Sequence, residues 1–256
     1  MHGAAFEELG IDARYLALDV APAELAQAVA ALRAPDVAGA NVTVPHKRAV
    51  MRWLDGLTDA ARRIGAVNTI VPTERGLIGD NTDGAGFLRS LAELGVEPRS
   101  LTCVVLGAGG AARAVASALL EAGAQVALHN RTRERALRLA ADLAPAGTVA
   151  VLGAAELEGA VRGAGLLVQA TSAGMVGAAE GALPLPTGVL PETGAVVDLV
   201  YRPAETPLLA NARRAGLLTQ NGLPMLVHQG ALAFERWFGQ PAPVEAMRRA
   251  ARRALG

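Results

Sequence analysis

The sequence predicts an α/β protein of two domains, each carrying a sheet covered by helices. Three observations carry that prediction. Short β-branched runs alternate with longer Ala/Leu/Arg stretches of helical period, the pattern of parallel sheets joined through helices. One strand, glycine turn, helix, strand unit reads without a break through LTCVVL, GAGGAARAVASALLEAG and AQVALHN. A length of 256 residues, 52% of them hydrophobic and 19% charged, is enough for two modest domains that each bury a core.

Taken in order, RYLALDV reads as a first strand and AELAQAVAALRA as the helix after it. NVTV follows as a strand in which Asn41 and Thr43 share a polar face while Val42 and Val44 enter the core, and Pro45 stops the ladder so that His46 and Lys47 lie at the strand end. GAVNT and GDNTDG set Asn68, Thr69, Asn81, Thr82 and Asp83 beside apolar strands; Asn81 and Thr82 read either as hydroxyl-binding groups or as turn caps. After the strand, turn, helix, strand unit come a helix at RERALRLAADLA, a strand at TVAVL, a helix near AAELEGAVRGA, and strands at GLLVQA and GAVVDLV. Between the last two, the Gly/Pro-rich stretch TSAGMVGAAEGALPLPTGVLPETG reads as a loop over a ligand or as a linker. The final Arg248, Arg249, Arg252 and Arg253 read as the solvated face of a last helix. The domains divide as 1–84 plus 222–256, a discontinuous substrate domain, and 85–221, with the ligand expected in the cleft between them.

Charge and composition exclude several classes of function. Acidic and basic residues balance at 24 each, so neither nucleic acid nor an anionic membrane is implied. No apolar run reaches the roughly 18 residues of a membrane span, and MHGAAFEELG lacks the regions of a signal peptide. Cys103 is the only cysteine and lies in an apolar run, which reads as a buried thiol in a reducing compartment. The four histidines are scattered without ligand spacing, so no metal is expected. A cytoplasmic protein, monomeric or homodimeric, is the expectation.

Gly107, Gly109 and Ala112 form a G-x-G-x-x-A turn directly after a strand and directly before a helix. Small residues are needed there because the backbone turns tightly and approaches a pyrophosphate, whose charge rests on amide groups at the helix start. This predicts a Rossmann-like, doubly wound dinucleotide-binding domain. The following strand ends in HNRTRER, where an NAD-selective fold would carry Asp or Glu. Arg131 and Arg135 would attract a 2′-phosphate that a carboxylate repels, so NADP is expected, although arginines of this run also read as ordinary surface charges.

Lys47 is the only lysine among the 24 basic residues. A lysine ammonium can give up and take back a proton, whereas a guanidinium in a protein cannot, which is a physical reason for one lysine to persist where arginine fills every other basic position. Chance survival in a biased composition is the other reading.

NVTVPHK, GAVNT, GDNTDG, GAGGAARA, NRT, DLVYRP with TPLL, and NGLPMLVHQGALAFERW together resemble the shikimate dehydrogenase family over essentially the whole chain. The resemblance implies NADPH-dependent, reversible reduction of 3-dehydroshikimate to shikimate, a step toward aromatic amino acids. It implies Lys47 and Asp83 as the catalytic pair, with Thr43, Asn68, Gln229 and Tyr201 at the substrate. It implies Gly107, Gly109, Gly110 and Ala111 at the pyrophosphate, Asn130, Arg131, Thr132 and Arg135 at the adenosine phosphate, and Gly222 and Met225 near the nicotinamide. A quinate-oxidising or NAD-preferring relative is the nearest alternative, and a dinucleotide-binding protein without turnover is a second.

Two departures from the family pattern stand out. The family opens with a strand and a Ser-x-Ser-Pro segment whose serines hold the substrate carboxylate, and Met1 to Phe6 match only the end of that segment. The expectation is that Met1 is an internal methionine, that a short piece lies upstream, and that RYLALDV here lacks its neighbouring strand. Gln169 stands where the family more often has asparagine, ahead of Thr171, Gly174 and Met175.

Overall fold

The structure is a computed structural model and describes residues 1–175, 183 and 185–255. It divides into two compact units, Met1–Gly86 with Val227–Gly256, and Phe87–Leu226.

The first unit begins with α1 (His2–Leu9), which Gly10 ends in the left-handed conformation at φ 65°. A 3₁₀ turn leads into α2 (Leu25–Ala31), then β1 (Ala40–Asn41), β2 (Gly56–Leu57), α3 (Asp59–Ile64), β3 (Thr69–Thr73), β4 (Gly76–Asp80) and the start of α4 (Asp83–Leu94), whose residues from Phe87 on belong to the second unit. The Thr58 hydroxyl caps α3 by accepting from Ala61 N. β3 and β4 form a hairpin in which Thr73 faces Gly76 across a two-residue turn, with Gly76 at φ 104°. The sheet order is β1-β3-β4-β2, antiparallel in its first two pairings and parallel only between β2 and β4. This mixed sheet differs from the parallel one that strand and helix alternation predicts, because a two-residue connection joins only antiparallel strands. Leu25, Val29, Val50, Ala61, Val67, Ile70 and Leu77 fill its core, each large aliphatic contributing roughly 1.5–3 kcal/mol on burial.

Three further expectations for this unit are corrected. Residues 14–20 form no strand; Leu16 and Leu18 are exposed, and among the described residues Val20 O is the only backbone group of that stretch with a hydrogen-bond partner, His46 Nε2 at 2.7 Å. A strand exists only through its neighbours, and this one has none in the sheet. The strand at NVTV is confined to β1; Val42 packs on the core, but Val44 is 77% exposed because the chain turns at 44–48. In the final helix, Arg248 is buried and pairs with Glu245 rather than facing solvent.

The second unit holds β5 (Thr102–Leu106), α5 (Gly110–Glu121), β6 (Gln125–His129), α6 (Arg133–Leu143), β7 (Val149–Val151), α7 (Ala154–Arg162), β8 (Leu166–Gln169), β9 (Ala195–Asp198), α8 (Pro207–Arg214) and β10 (Leu218–Asn221). All strands run parallel in the order β10-β9-β8-β5-β6-β7, the doubly wound arrangement that reverses direction beside its first strand. Buried side chains fill both faces of this sheet, Val105, Leu119, Leu128 and Val168 on one and Val104, Leu106, Leu167 and Val196 on the other. Cys103 is fully buried among the first set, and burial pushes its thiol up to about 12. The α8 and β10 pair, absent from the strand and helix reading above, follows from the Thr206 cap, whose hydroxyl accepts from Leu209 N ahead of Pro207. Residues 176–182 and 184 of the Gly/Pro-rich stretch, with its expected role over a ligand, lie outside the described residues.

The chain returns to the first unit along α9 (Leu223–Phe238) and ends in α10 (Val244–Leu255). Trp237 Nε1 donates to Ile70 O at 3.0 Å, tying α9 to β3, and Gly39 makes room for that indole: a Cβ there would lie 2.1 Å from Trp237 Nε1. Among the described residues no helix is long and apolar enough to cross a membrane.

Candidate active site

Lys47, Asn68, Asp83 and Gln229, singled out in the sequence, meet in the first unit with Thr69, Asn81 and Thr82 around them. Lys47 lies in the turn at 44–48, with its carbonyl accepting from Val67 N at 2.8 Å. Asn68 and Thr69 lead into β3, and Asp83 opens α4 directly after β4. Because β3 and β4 pair with Thr69 opposite Asp80, Asn68 and the 81–83 segment emerge side by side from the same end of the hairpin.

Lys47 Nζ donates to Asp83 Oδ2 at 2.5 Å, with the lysine side chain 22% and the aspartate 10% exposed. The other Asp83 oxygen accepts from Asn68 Nδ2 at 2.8 Å, and Asn68 Nδ2 also lies 3.4 Å from Gln229 Oε1. The orientation of the Asn68 amide is dictated on both sides: its Oδ1 accepts from Thr82 N at 2.8 Å and from the Thr69 hydroxyl at 2.9 Å, which leaves its NH₂ for the carboxylate. Asn81 is used as a cap, its Oδ1 accepting from Asp83 N at 3.0 Å and its Nδ2 donating to Ala66 O. Thr82 donates its hydroxyl to Gln229 O at 3.0 Å. Of the two readings left open for Asn81 and Thr82, the hydrogen bonds favour internal scaffolding. A paired carboxylate beneath a half-buried ammonium, with neutral amides around it, can move one proton and hydrogen-bond hydroxyl groups.

Thr43 lies on the turn before Lys47, exposed, with its carbonyl accepting from His46 N. Tyr201, Gly222 and Met225 belong to the second unit. Tyr201 is half-buried shortly after Asp198, whose carboxyl is pushed up from the ordinary carboxylate range by burial while it accepts from the Thr206 hydroxyl at 2.7 Å and Val200 N at 3.0 Å. Gly222 is required by packing, since a Cβ would sit 2.0 Å from Leu199 O, and Met225 packs into the core of its unit. Gln169 is fully buried and holds the turn after β8, accepting from Thr171 N at 2.6 Å and donating to the Thr171 and Ala173 carbonyls. Its longer side chain reaches both.

In the second unit the glycine turn stands at the C-terminal end of β5, where the strand order reverses between β5 and β8. Gly107 is at φ 118°, and a Cβ there would come 3.0 Å from Ala170 O. Gly109 is the N-cap of α5 with no side-chain cap, and a Cβ on Gly109 or Gly110 would meet open space. Uncapped amides above open space fit a pyrophosphate. Ala111 lies in the same first turn of α5. Asn130 Nδ2 donates to Thr132 O at 2.8 Å, which shapes the exit from β6. Arg131 and Arg135 are exposed beside it, and among the described residues neither has an ion-pair partner. Two uncompensated guanidinium groups at the end of the second strand fit the 2′-phosphate of NADP.

Comparison with known proteins agrees along the chain. Residues 1–70 match the shikimate dehydrogenase substrate binding domain, 90–180 the shikimate/quinate 5-dehydrogenase model, and 222–252 the shikimate 5′-dehydrogenase C-terminal domain. The chain is 52% identical over its full length to a shikimate dehydrogenase (NADP(+)) of Symbiobacterium thermophilum, covering 89% of that protein, and 51% identical to one of Moorella thermoacetica, covering 88%. Among solved structures, the shikimate 5-dehydrogenase of Thermus thermophilus in complex with NADP(H) and shikimate superposes with a TM-score of 0.89 at 44% identity, over 99% of this chain and 93% of that one. The chain belongs to the shikimate dehydrogenase family of NADP-dependent oxidoreductases.

Proposed function

We propose that this chain interconverts 3-dehydroshikimate and shikimate with NADP, and that Lys47 carries the proton. The observation that carries the proposal is the Lys47–Asp83 contact at 2.5 Å, with the second carboxylate oxygen held by Asn68. When bound, the nicotinamide accepts or supplies the hydride. In the oxidative direction Lys47 takes the proton of the reacting hydroxyl; in the reductive direction its ammonium returns one to the carbonyl oxygen. Asp83 holds the lysine amine in one orientation, and Asn68 holds Asp83. Thr43, Asn68, Gln229 and Tyr201 bind the substrate's hydroxyl and carboxylate groups. Gly107, Gly109, Gly110 and Ala111 seat the pyrophosphate, Asn130, Arg131, Thr132 and Arg135 select the 2′-phosphate, and Gly222 and Met225 border the nicotinamide. The substrate domain is 1–84 with 222–256 and the NADP domain is 85–221. The reaction belongs to aromatic amino acid biosynthesis in the cytoplasm, with the enzyme a monomer or homodimer.

The test is the nicotinamide absorbance on mixing the protein with NADP⁺ and shikimate, quinate or neither. Shikimate-dependent reduction of NADP⁺ that exceeds the quinate rate is expected. A protein that binds NADPH yet reduces no NADP⁺ with shikimate would refute the proposal.

A further inference from the structure

A buried carboxylate next to the candidate site takes no part in the proposed chemistry. Asp80 ends β4 with its side chain 4% exposed and accepts three hydrogen bonds: the Thr58 hydroxyl at 2.6 Å and Asn81 N at 2.8 Å on Oδ1, and Arg236 Nε at 2.9 Å on Oδ2. Thr58 and Asn81 are its neighbours in the hairpin and the β2 strand end; Arg236 comes from α9, 156 positions away in sequence. The carbonyl of the same residue accepts from Asn68 N at 3.0 Å, so Asp80 is bonded to both segments that bear the Asn68–Asp83 contact.

Arg236 stands seven positions after Gln229 on one helix, two turns along the same face. Three attachments join that face to the 80–86 segment: Thr82 Oγ1 to Gln229 O, the Gly86 backbone against Gln229, where a Cβ would come 2.7 Å from Gln229 N, and the Arg236–Asp80 pair. The first two fix α9 at Gln229 only. A helix held at one level can tilt or slide about it; about 10 Å further along the axis, the ion pair acts together with the Trp237–Ile70 hydrogen bond to remove that freedom. We infer that Arg236 is a positioning residue for the substrate site: through Asp80 it sets the register of α9 against the segment carrying Asp83, and so places the Gln229 amide beside the Lys47–Asp83 pair. The arginine side chain is 57% exposed, and an ordinary surface pair of that exposure would do little. Here its partner is buried and bonded into the site, so loss of the arginine leaves a buried carboxylate without one of its donors.

This inference rests on the proposed reaction, in which Gln229 binds substrate. The experiment compares wild type, Arg236→Met and Arg236→Lys for shikimate KM, NADP⁺ KM, kcat and Tm. Arg236→Met is expected to raise shikimate KM by roughly three- to tenfold with kcat and NADP⁺ KM within about twofold, the signature of lost substrate binding. Arg236→Lys, which keeps a cation for Asp80, is expected to recover most of that loss. Unchanged shikimate KM in Arg236→Met, equal impairment in both variants, or a drop in Tm accompanied only by a proportional loss of active protein would each overturn the positioning role. A wild-type protein without shikimate-dependent turnover would instead overturn the proposed reaction, and this inference with it. If Arg236→Met does not fold, Asp80→Asn, which keeps the shape and two of the acceptor contacts, is read in the same way.

Discussion

Replacing Lys47 by methionine separates chemistry from folding. The substitution keeps most of the stem and removes the ammonium 2.5 Å from Asp83. Loss of a general acid–base group costs about 10²–10⁴ in rate, equivalent to about 2.7–5.4 kcal/mol in the barrier. The fold should lose much less. Asp83 keeps the Asn68 amide at 2.8 Å and stands in the first turn of α4, where the helix dipole favours a negative charge by about 0.3–1 kcal/mol. With these contacts intact, a stability loss of about 1–2 kcal/mol is expected, a fall in Tm of roughly 2–8 °C. The assay is NADP⁺ reduction by shikimate in steady state, with NADPH affinity by fluorescence and Tm by calorimetry. Lys47→Arg should be nearly as slow as Lys47→Met, because its guanidinium keeps the charge but cannot release the proton. Activity within tenfold of wild type in Lys47→Arg would refute the proton-transfer argument, since charge alone would then suffice.

Three more substitutions test other parts of the structure. Arg131→Asp sets a carboxylate where the 2′-phosphate is expected and should shift the ratio of kcat/KM for NADP⁺ over NAD⁺ downward by about 10–100-fold; an unchanged ratio in parallel assays removes Arg131 from cofactor selection. Gly222→Ala places a Cβ 2.0 Å from the Leu199 carbonyl, a backbone atom that cannot rotate away, and should cost about 3 kcal/mol or more by urea denaturation; a variant as stable as wild type would show that the two segments separate freely. His2 is buried, stacked on Tyr15 at 4.5 Å, and its pKa is lowered to about 4 by burial first and by the N-terminal charge second, against a hydrogen bond with Asn41 that raises it. The unfolded imidazole binds its proton near pH 6.5 and the folded one does not, so stability is full above 6.5 and falls as pH drops toward 4, by about 3 kcal/mol. A His2→Gln variant should lose that pH dependence, and parallel curves for the two proteins would discount it.

The parts of the molecule that announce themselves in the sequence are those whose physics is local. The glycine turn after β5 is legible because each small residue answers a backbone need within a few positions: Gly107 a positive φ, Gly109 and Gly110 an open approach. The alternation of strands and helices in the second unit is legible because parallel strands buried on both faces are continuous apolar runs. The first unit resists the same reading. RYLALDV has strand-like alternation, yet a strand requires a neighbour, and 14–20 has none in the sheet. Arg248 has the spacing of a solvated face but is buried with Glu245 as partner, which composition cannot distinguish from the exposed Arg249. Lys47 and Asp83 are legible as chemically suitable residues, but their contact across 36 positions is a property of the β3–β4 register. Gln229 has no local signal at all and is found only through family resemblance or through the folded network.

That network also limits which side chains the candidate site can accept in place of Asn68. The residue must accept from the Thr82 backbone amide on one side and donate to the Asp83 carboxylate on the other, both at 2.8 Å in buried surroundings. Aspartate at this position would satisfy the amide but set two carboxylates against each other, and leucine would leave a buried N–H and a carboxylate oxygen without partners, at about 1–3 kcal/mol each. Only a side chain with an acceptor and a donor on one short, rigid stem meets both demands; glutamine would carry the same groups one carbon too far, into the space where Gln229 Oε1 already lies 3.4 Å from the amide. By occupying one Asp83 oxygen, Asn68 leaves the other for the ammonium, so the lysine has a single place to dock. In the proposed reaction the proton-carrying group is thereby aimed by a residue that need not touch the proton, a neutral amide rather than a further charge.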